Sequence, residues 1–157
     1  MAGATEDGIC LLEFSGRRRV DDQVATLRAR LETEVVRGDN DHLARLRGEL
    51  RAYFDGALTT FTGPLVVRGT PFEERVWAAL CRIPYGATLS YGDLARAIGE
   101  SAAASRAVGR ANGRNRIAIL IPCHRVIGKD RTLVGYGGGL WRKKRLLDFE
   151  HRQRPLF

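Results

Sequence analysis

The sequence predicts an α+β protein, in which a small antiparallel sheet with helices precedes a mainly helical region. Apolar residues recur at helical spacing in several segments, and capping signals stand at the starts of these segments. A short apolar run bounded by glycines near the N-terminus is typical of a strand. At 157 residues and 44% hydrophobic content, the chain can bury a core as one compact domain or as two small lobes.

The excess positive charge lies in the last third of the chain. Residues 1–100 carry 13 lysines and arginines against 15 acidic residues, whereas residues 101–157 carry 13 against 3. A solvated basic face would give this pattern, but an excess of this size favours a polyanionic partner, most simply nucleic acid. The N-terminus lacks a signal-peptide pattern and no apolar run approaches ~20 residues, so we expect no membrane span and a cytoplasmic protein. The three cysteines have no paired spacing, which argues against a disulfide framework or a zinc site.

The N-terminal region begins with a strand and a helix. The apolar run over residues 8–14 is typical of a strand. Apolar residues at spacings of three and four over residues 20–35 predict an amphipathic helix that ends at Gly38, with Asp21 or Asp22 as its cap.

A second helix and a further strand follow. The apolar stripe over residues 43–54 predicts a helix with Asn40 or Asp41 as its cap and Gly56 at its end. Residues 61–68 have the pattern of another strand, which a proline would place at the edge of a sheet.

The next helix has a strong start signal. Thr70 can cap it, Pro71 suits the first helical position and Glu73 completes a capping box. The apolar pattern predicts a helix to about Ile83, with Cys81 as a small buried hydrophobe.

Two further helices are separated by a short glycine-containing turn. Residues 90–97 predict a short helix capped by Ser90, and residues 101–111 predict an alanine-rich helix with Arg106 and Arg110 one turn apart. Helix, short turn and basic helix is the pattern of a helix-turn-helix that can enter a DNA groove, although any two short packed helices can match it.

A cysteine and a histidine follow a buried, strand-like run. Residues 117–121 are apolar, and Pro122 stops this run because it lacks a backbone donor, so Cys123 stands at a bend. A thiol is nucleophilic as thiolate, and the imidazole of His124 can take its proton near neutral pH. A buried structural cysteine beside a surface histidine would give the same dipeptide.

The last segment predicts a turn, a glycine loop and a helix. Residues 128–131 predict the turn, and the glycines at residues 135–139 allow the backbone to come close to a partner, with Tyr136 as a stacking face. A final helix begins near Leu140, carries Glu150 and ends in a basic tail.

Several ordered motifs resemble the 6-O-alkylguanine-DNA alkyltransferases of the bacterial Ogt and Ada C-terminal type. They are Ile-Pro-Cys-His-Arg-Val at residues 121–126, Ser-Arg-Ala-Val-Gly at residues 105–109, Asn115, and Gly-Tyr-Gly-Gly-Gly-Leu at residues 135–140. The resemblance covers roughly residues 70–151, and widely separated motifs in a fixed order are more specific than any short pattern.

The resemblance implies a two-lobed fold. Residues 1–69 would form a ribonuclease H-like lobe, and residues 70–157 would form the DNA-binding and alkyl-transfer domain with a winged-helix-like helix-turn-helix. Residues 2–14 look like the second strand of the family's N-terminal sheet, which places the first strand before Met1. The family often has a proline after its asparagine, where this chain has Arg116.

The resemblance also implies a single-turnover DNA repair protein. It would flip 6-O-alkylguanine, and also 4-O-alkylthymine, out of duplex DNA and take the alkyl group irreversibly onto Cys123. His124 would withdraw the thiol proton through a water, and Glu150 would set the tautomer of His124. Tyr91 would donate a hydrogen bond to the leaving guanine, and Asn115 would brace the turn that carries the cysteine.

The remaining implied site residues contact DNA or the flipped base. The protein would act as a monomer on double-stranded DNA, without a metal or an organic cofactor. Arg106 would fill the gap that the flipped nucleotide leaves in the stack. The other implied contacts are Val126, Tyr136 and Gly137 in the base pocket, with Ser90, Arg110 and Arg125 as further DNA-binding or base-binding residues.

Two other functions stay open at this stage. A damage-binding module, as in the alkyltransferase-like proteins, would bind without transfer, but those proteins carry tryptophan at the position of Cys123. A Cys-His hydrolase would use the same pair for acyl transfer and would turn over repeatedly.

Overall fold

A computed structural model describes residues 1–14 and 20–153 of the chain, which divides into two compact units, Met1–Arg68 and Gly69–Phe157. The described residues form six α-helices and a small two-stranded antiparallel sheet, together with a two-stranded parallel ladder. This confirms the predicted α+β class. Each helix in the described part of the chain is too short or too polar to cross a lipid bilayer.

The first unit begins with a hairpin. Strand β1 (Ala2–Ala4) pairs antiparallel with strand β2 (Ile9–Leu12). The chain reverses between them, where the N–H of Thr5 donates to the carbonyl of Gly8 at 2.9 Å. The strand predicted over residues 8–14 is confirmed as β2, whereas the prediction of a single strand over residues 2–14 is wrong, because the turn at residues 5–8 divides this segment into two strands.

Helix α1 (Val20–Leu31) is shorter than its apolar pattern predicts. Its predicted end at Gly38 is wrong, because Glu32 adopts a left-handed φ of +49°, which breaks the helical hydrogen-bond ladder. Val35 and Val36 continue the apolar pattern but are 59% and 80% exposed, so they add nothing to a core. The predicted caps Asp21 and Asp22 lie inside the first turn.

Helix α2 (Asp41–Phe54) begins as predicted, since the side chain of Asn40 accepts a hydrogen bond from the N–H of Leu43. The predicted strand over residues 61–68 is wrong. In this segment only Leu65 pairs with another strand, as an isolated parallel bridge to Ile9, and its neighbours do not extend the bridge into a ladder. The buried apolar cluster of this unit consists of Cys10, Leu11, Leu27 and Val66.

The second unit opens with helix α3 (Pro71–Leu80), whose capping box is present as predicted. Its Trp77 donates from Nε1 to the carbonyl of Ala111 at 2.9 Å, which ties α3 to a later helix. The helix ends three residues before Ile83. Cys81 lies just beyond the helix end and is exposed, so its predicted burial is wrong.

Two helices pack beside α3. Helix α4 (Tyr91–Ala97) is capped by Ser90 as predicted, and helix α5 (Ser105–Gly113) follows a single 3-10 turn at Ala102–Ala104. The alanine-rich segment is thus an α-helix only from Ser105. The buried apolar face of α5 leaves its arginines on the outside.

The rest of the second unit surrounds the Cys-His segment. Strand β3 (Leu89–Ser90) pairs parallel with strand β4 (Val126–Ile127), directly after a 3-10 turn at Cys123–Arg125. Helix α6 (Leu140–Arg152) is the last described element, and residues 154–157, at the end of the predicted basic tail, lie outside the described residues.

Residues 117–121 form a compact turn, so the strand predicted for them is wrong. The N–H of Ile121 donates to the carbonyl of Ile117 at 3.0 Å, and Ile119 has a φ of +72°. A left-handed conformation is costly for a β-branched side chain. All five side chains are buried, which explains why the run is apolar. Because buried strands and buried turns both require apolar residues, the run alone does not distinguish them.

Candidate active site

Cys123 lies at the start of a 3-10 turn, directly after the bend at Pro122. Pro122 has φ −80° and ψ 59°, which confirms the predicted interruption before the cysteine. The thiol is almost enclosed, with Cys123 only 6% exposed. A group that reacts with this thiol must therefore enter the interior of the second unit.

Asn115 ties the buried turn to the cysteine. Its Nδ2 donates to the carbonyl of Ile121 at 2.9 Å and lies 3.1 Å from the Sγ of Cys123. Its Oδ1 accepts from the N–H of Ile117 at 2.9 Å. The amide thus holds both ends of the turn that contains the strained Ile119, in agreement with the predicted bracing position.

Replacing Asn115 by alanine is expected to lower the free energy of unfolding by about 3 kcal/mol. The change leaves the N–H of Ile117 buried without this partner, at a cost of ~1–3 kcal/mol, and removes one of the two hydrogen bonds to the carbonyl of Ile121, at a cost of about 1 kcal/mol. Urea denaturation followed by circular dichroism measures the loss. The exposed loop residue Thr88 provides a control, since Thr88→Ala should shift stability by less than about 0.5 kcal/mol. Equal stability of the two variants would contradict the bracing position.

His124 and Glu150 form the predicted pair. The Nε2 of His124 lies 2.9 Å from Oε1 of Glu150, and both side chains are fully buried. The Nδ1 of His124 is buried without a hydrogen-bond partner among the described residues. If Nε2 carries the hydrogen and donates to the carboxylate, Nδ1 is the lone-pair nitrogen and can accept a proton. Burial lowers the pKa of His124, which keeps the imidazole neutral at neutral pH and leaves a lone pair free to accept a proton.

Arg125 also binds Glu150. Its Nε and Nη2 donate to the two carboxylate oxygens at 2.9 Å each, and its Nη1 donates to the carbonyl of Ile83 at 2.6 Å. Burial alone would raise the pKa of Glu150, but the hydrogen bonds from His124 and Arg125 lower it to about 2. Arg125 is 6% exposed and each of its three nitrogens donates a hydrogen bond inside the protein, whereas its predicted contact with DNA or the base stays a prediction. Its arginine fork holds the carboxylate that orients the histidine.

The sequence reasoning missed Lys143. This lysine is fully buried, and its Nζ donates to the carbonyls of Val126 at 2.5 Å and Val134 at 2.7 Å. Burial lowers its pKa to about 8, while the nearby Cys123 acts in the opposite direction. The ammonium therefore adds positive charge where a thiolate would form. One signal was present in the sequence, since Lys143 shares a helical face with Glu150, seven residues later.

Tyr91 lies near enough to Cys123 to feel its charge. Its hydroxyl oxygen lies 3.2 Å from the carbonyl of Val134 and 3.3 Å from that of Gly135, and it can donate to one of them. Burial, followed by the charge of Cys123, raises the pKa of Tyr91 to about 12. The phenol therefore stays protonated and remains a hydrogen-bond donor at neutral pH.

The structure thus brings Cys123, His124, Glu150, Asn115 and Tyr91 together in the second unit. The other predicted site residues differ in exposure. Val126 is buried, Tyr136 is half-buried and Gly137 is exposed, while Ser90 uses its hydroxyl to cap α4 and Arg106 and Arg110 are exposed on α5.

Comparisons with known proteins match most of this chain. Residues 71–152, a little over half of it, match a family described as 6-O-methylguanine DNA methyltransferase, DNA binding domain. A methylated-DNA–protein-cysteine methyltransferase of Mycobacterium tuberculosis is 57% identical over 107 residues, which span 68% of this chain and only 64% of that relative. An inducible protein of the same name from Bacillus subtilis is 43% identical over 138 residues, with 88% of this chain and 76% of the relative covered.

Solved structures agree over a longer stretch. The crystal structure of Mycobacterium tuberculosis OGT in complex with DNA has a TM-score of 0.82 and 40% identity, with 99% of this chain and 88% of that chain covered. The 6-O-methylguanine-DNA methyltransferase of the archaeon Pyrococcus kodakaraensis has a TM-score of 0.68 and 31% identity, with 91% and 84% covered. Both units of the chain thus have counterparts in solved structures.

Proposed function

This chain belongs to the 6-O-methylguanine DNA methyltransferase family, and from that premise we propose that it takes the alkyl group of 6-O-alkylguanine in duplex DNA onto Cys123. The observation that carries the proposal is the buried series Cys123, His124 and Glu150, with Arg125 behind it. A thiol, a base with a lone pair on Nδ1 and an orienting carboxylate are the parts that an activated cysteine needs.

The first step is removal of the thiol proton. Nε2–H of His124 donates to Glu150, so Nδ1 accepts the proton of Cys123 through a water. The resulting imidazolium is stabilised by the carboxylate. The ammonium of Lys143 and the Nδ2 of Asn115 favour the thiolate, since both present positive charge or a donor to it.

The second step is the transfer itself. The Sγ lone pair forms a bond to the alkyl carbon, and the bond from that carbon to O6 breaks with its electron pair moving to guanine. The hydroxyl of Tyr91 donates a hydrogen bond to the base as this negative charge develops. The product is a stable thioether on Cys123, so each protein molecule reacts once.

DNA is held by the basic surface of the second unit. Helices α4 and α5 act as a winged-helix-like helix-turn-helix, with Arg110 on a phosphate and Arg106 in the gap left by the flipped nucleotide. Tyr136 and Gly137 line the base pocket with Val126. Residues 1–69 act as the ribonuclease H-like lobe and residues 70–157 as the domain that transfers the alkyl group. The protein works as a cytoplasmic monomer and accepts 4-O-alkylthymine as a second lesion.

Replacing Arg106 by alanine is expected to slow repair in duplex DNA at least tenfold. Flipping a base out of the stack costs roughly a few kcal/mol, and the variant lacks the side chain that would offset part of this cost. Reaction with the free base 6-O-benzylguanine should change by less than about twofold, because no stack has to be opened. Single-turnover rates with both substrates measure the contrast. The paired surface residue Arg47 in α2 supplies a control, since Arg47→Ala should leave both rates unchanged. Equal slowing of both reactions by Arg106→Ala would rule out the flipping position.

A titration tests the proposed function against the hydrolase alternative. Increasing amounts of 6-O-methylguanine duplex are mixed with a fixed amount of protein, and the repaired guanine is counted. The proposal predicts that repair stops at one guanine per protein molecule, however long the incubation. Repair that continues beyond one equivalent would show a turnover enzyme and contradict it.

A further inference from the structure

A turn between α3 and β3 contacts both members of a buried ion pair in the site, and the proposed mechanism gives this turn no part. It spans residues 83–87, where the N–H of Ala87 donates to the carbonyl of Pro84 at 3.1 Å. Gly86 has a φ of +68°, the left-handed conformation that favours glycine at the third position of a type II turn. This segment, the 83–87 turn, therefore has a path that its local sequence fixes.

Two contacts of the 83–87 turn hold the guanidinium of Arg125. The carbonyl of Ile83 accepts a hydrogen bond from Nη1 at 2.6 Å, and Cζ lies 5.6 Å from the centroid of the Tyr85 ring. A guanidinium within about 6 Å of an aromatic face is attracted to the ring, most strongly where water is excluded. The turn thus binds Arg125 through the nitrogen that does not donate to Glu150.

A third contact of the turn reaches the carboxylate of Glu150. The N–H of Gly86 donates to Oε2 at 3.0 Å. Oε2 also accepts from Nε of Arg125, and Oε1 lies 2.9 Å from Nη2 of Arg125 and from Nε2 of His124. Each oxygen therefore has two nitrogen partners. The carboxylate cannot rotate without breaking a buried hydrogen bond, which is costly.

A carboxylate fixed in this way decides the tautomer of His124. The ring nitrogen that carries the hydrogen is set by the hydrogen bonds that the two nitrogens make. With Oε1 of Glu150 held against Nε2, the hydrogen stays on Nε2, and Nδ1 keeps the lone pair that takes the thiol proton. A carboxylate that could rotate would hold this hydrogen less strongly, and the tautomer with its hydrogen on Nδ1 would also be populated.

We propose that Tyr85 and Gly86 are positioning residues for alkyl transfer. By holding the buried ion pair from outside, they keep His124 in the tautomer that accepts a proton on Nδ1. The inference rests on the proposed function, because that proton comes from the reactive thiol. Neither residue has to touch the DNA or the alkyl group, so replacing them should slow transfer without weakening DNA binding. A misplacement of about 1 Å in a reacting site can lower the rate roughly hundredfold.

The first measurement compares two replacements of Tyr85 in single-turnover kinetics with a 6-O-methylguanine duplex. Tyr85→Leu removes the aromatic ring, whereas the control Tyr85→Phe keeps it. We expect Tyr85→Leu to lower the maximal rate roughly tenfold to hundredfold and to leave the half-saturating duplex concentration within about twofold. Tyr85→Phe should change both by less than about twofold, because the ring face is retained. Equal maximal rates for Tyr85→Leu and the unmodified protein would overturn the proposal.

Gly86→Ala provides a second variant, for the case that Tyr85→Leu does not fold. Alanine is strained at a φ of +68°, so the N–H at this position should move away from the carboxylate of Glu150. Circular dichroism shows which variants are folded. Folded Gly86→Ala should show the same loss of maximal rate with unchanged half-saturation, and a rate equal to that of the unmodified protein would again overturn the proposal.

The second measurement separates positioning from a purely structural role. Nitrogen NMR of the protein with isotope-labelled histidine rings reports which ring nitrogen carries the hydrogen, with His42 and His151 as references outside the site. The proposal predicts one tautomer of His124, with the hydrogen on Nε2, in the unmodified protein and in Tyr85→Phe. It predicts a mixture of tautomers in Tyr85→Leu and in Gly86→Ala. An unchanged His124 signal in these folded variants would overturn the proposal, even if transfer became slower.

The spectra are recorded without DNA, which distinguishes failure of this inference from failure of the proposed function. If the unmodified protein takes no methyl group from the duplex, the proposed function fails, and the positioning role in transfer fails with it. Transfer by the unmodified protein, together with an unchanged His124 signal in the folded variants, would overturn the inference alone.

Discussion

Replacing Cys123 by alanine is expected to abolish alkyl transfer while leaving the affinity for duplex DNA within about twofold of the unmodified protein. The reacting atom is lost, and a residual rate from the site without its nucleophile should be undetectable. The basic residues that would contact DNA, Arg106 and Arg110, are exposed on α5 and do not include the residue that is replaced. Transfer of a radioactive methyl group measures the first effect, and fluorescence anisotropy with labelled duplex measures the second.

The exposed Cys81 is the matched control for this prediction. Cys81→Ala removes a thiol from the same unit, outside the proposed site, and should change neither transfer nor binding. Transfer that survives in Cys123→Ala would place the nucleophile elsewhere. Loss of binding as well as transfer would mean that Cys123 is needed for the fold.

Replacing Glu150 by alanine is expected to lower the free energy of unfolding by about 3–5 kcal/mol and to slow transfer sharply. The change leaves the guanidinium of Arg125 buried without its carboxylate, and breaking a buried ion pair from one side costs this much. It also removes the group that orients His124. Urea denaturation and single-turnover kinetics measure the two effects. The control is Asp148→Ala, which breaks an exposed pair with Lys144 on the same helix and should cost at most about 1 kcal/mol.

The pH dependence of stability checks the same carboxylate. The pKa of Glu150 falls from 4.5 to about 2 on folding, so its ionised form stabilises the fold. This stabilisation is fully present above the unfolded pKa and is lost as the pH falls through the folded pKa. The gap in stability between the unmodified protein and Glu150→Gln should therefore shrink as the pH is lowered from 4.5 to about 2. A gap that stays constant over this window would contradict the assigned ion pair.

Local chemistry made part of the fold predictable. The starts of α2, α3 and α4 can be read from the sequence, because Asn40, Thr70 and Ser90 each satisfy backbone donors within three residues of themselves. The end of α1 could not be read in this way. Its apolar pattern continues to Val35, and only the left-handed Glu32 shows where the hydrogen-bond ladder stops.

The segment before the cysteine shows a different limit. An apolar run of five residues fits a buried strand and a buried turn equally well, and the partner that decides is Asn115, whose contacts depend on the folded chain. The same holds within the site. The adjacency of Cys123 and His124 is visible in the sequence, whereas the pairing of Arg125 with Glu150, 25 residues away, is a product of the fold.

The charge pattern located the basic region but not the task of each cation. Lys143 lies in a run of four basic residues that resembles a solvated surface, yet it is fully buried against two carbonyls. Burial of a lysine depends on tertiary packing, which no local pattern encodes. The general site was therefore predictable from motifs, whereas the buried positions of Arg125 and Lys143 behind it could be seen only in the structure.

The most direct measurement is the mass of the protein after reaction with a 6-O-methylguanine duplex, followed by mass analysis of its peptides. The account predicts that each molecule gains one methyl group and that the peptide containing Cys123 carries it, while peptides with Cys10 and Cys81 stay unchanged. A methyl group on any other peptide, or a protein that restores guanine without any gain in mass, would contradict the account.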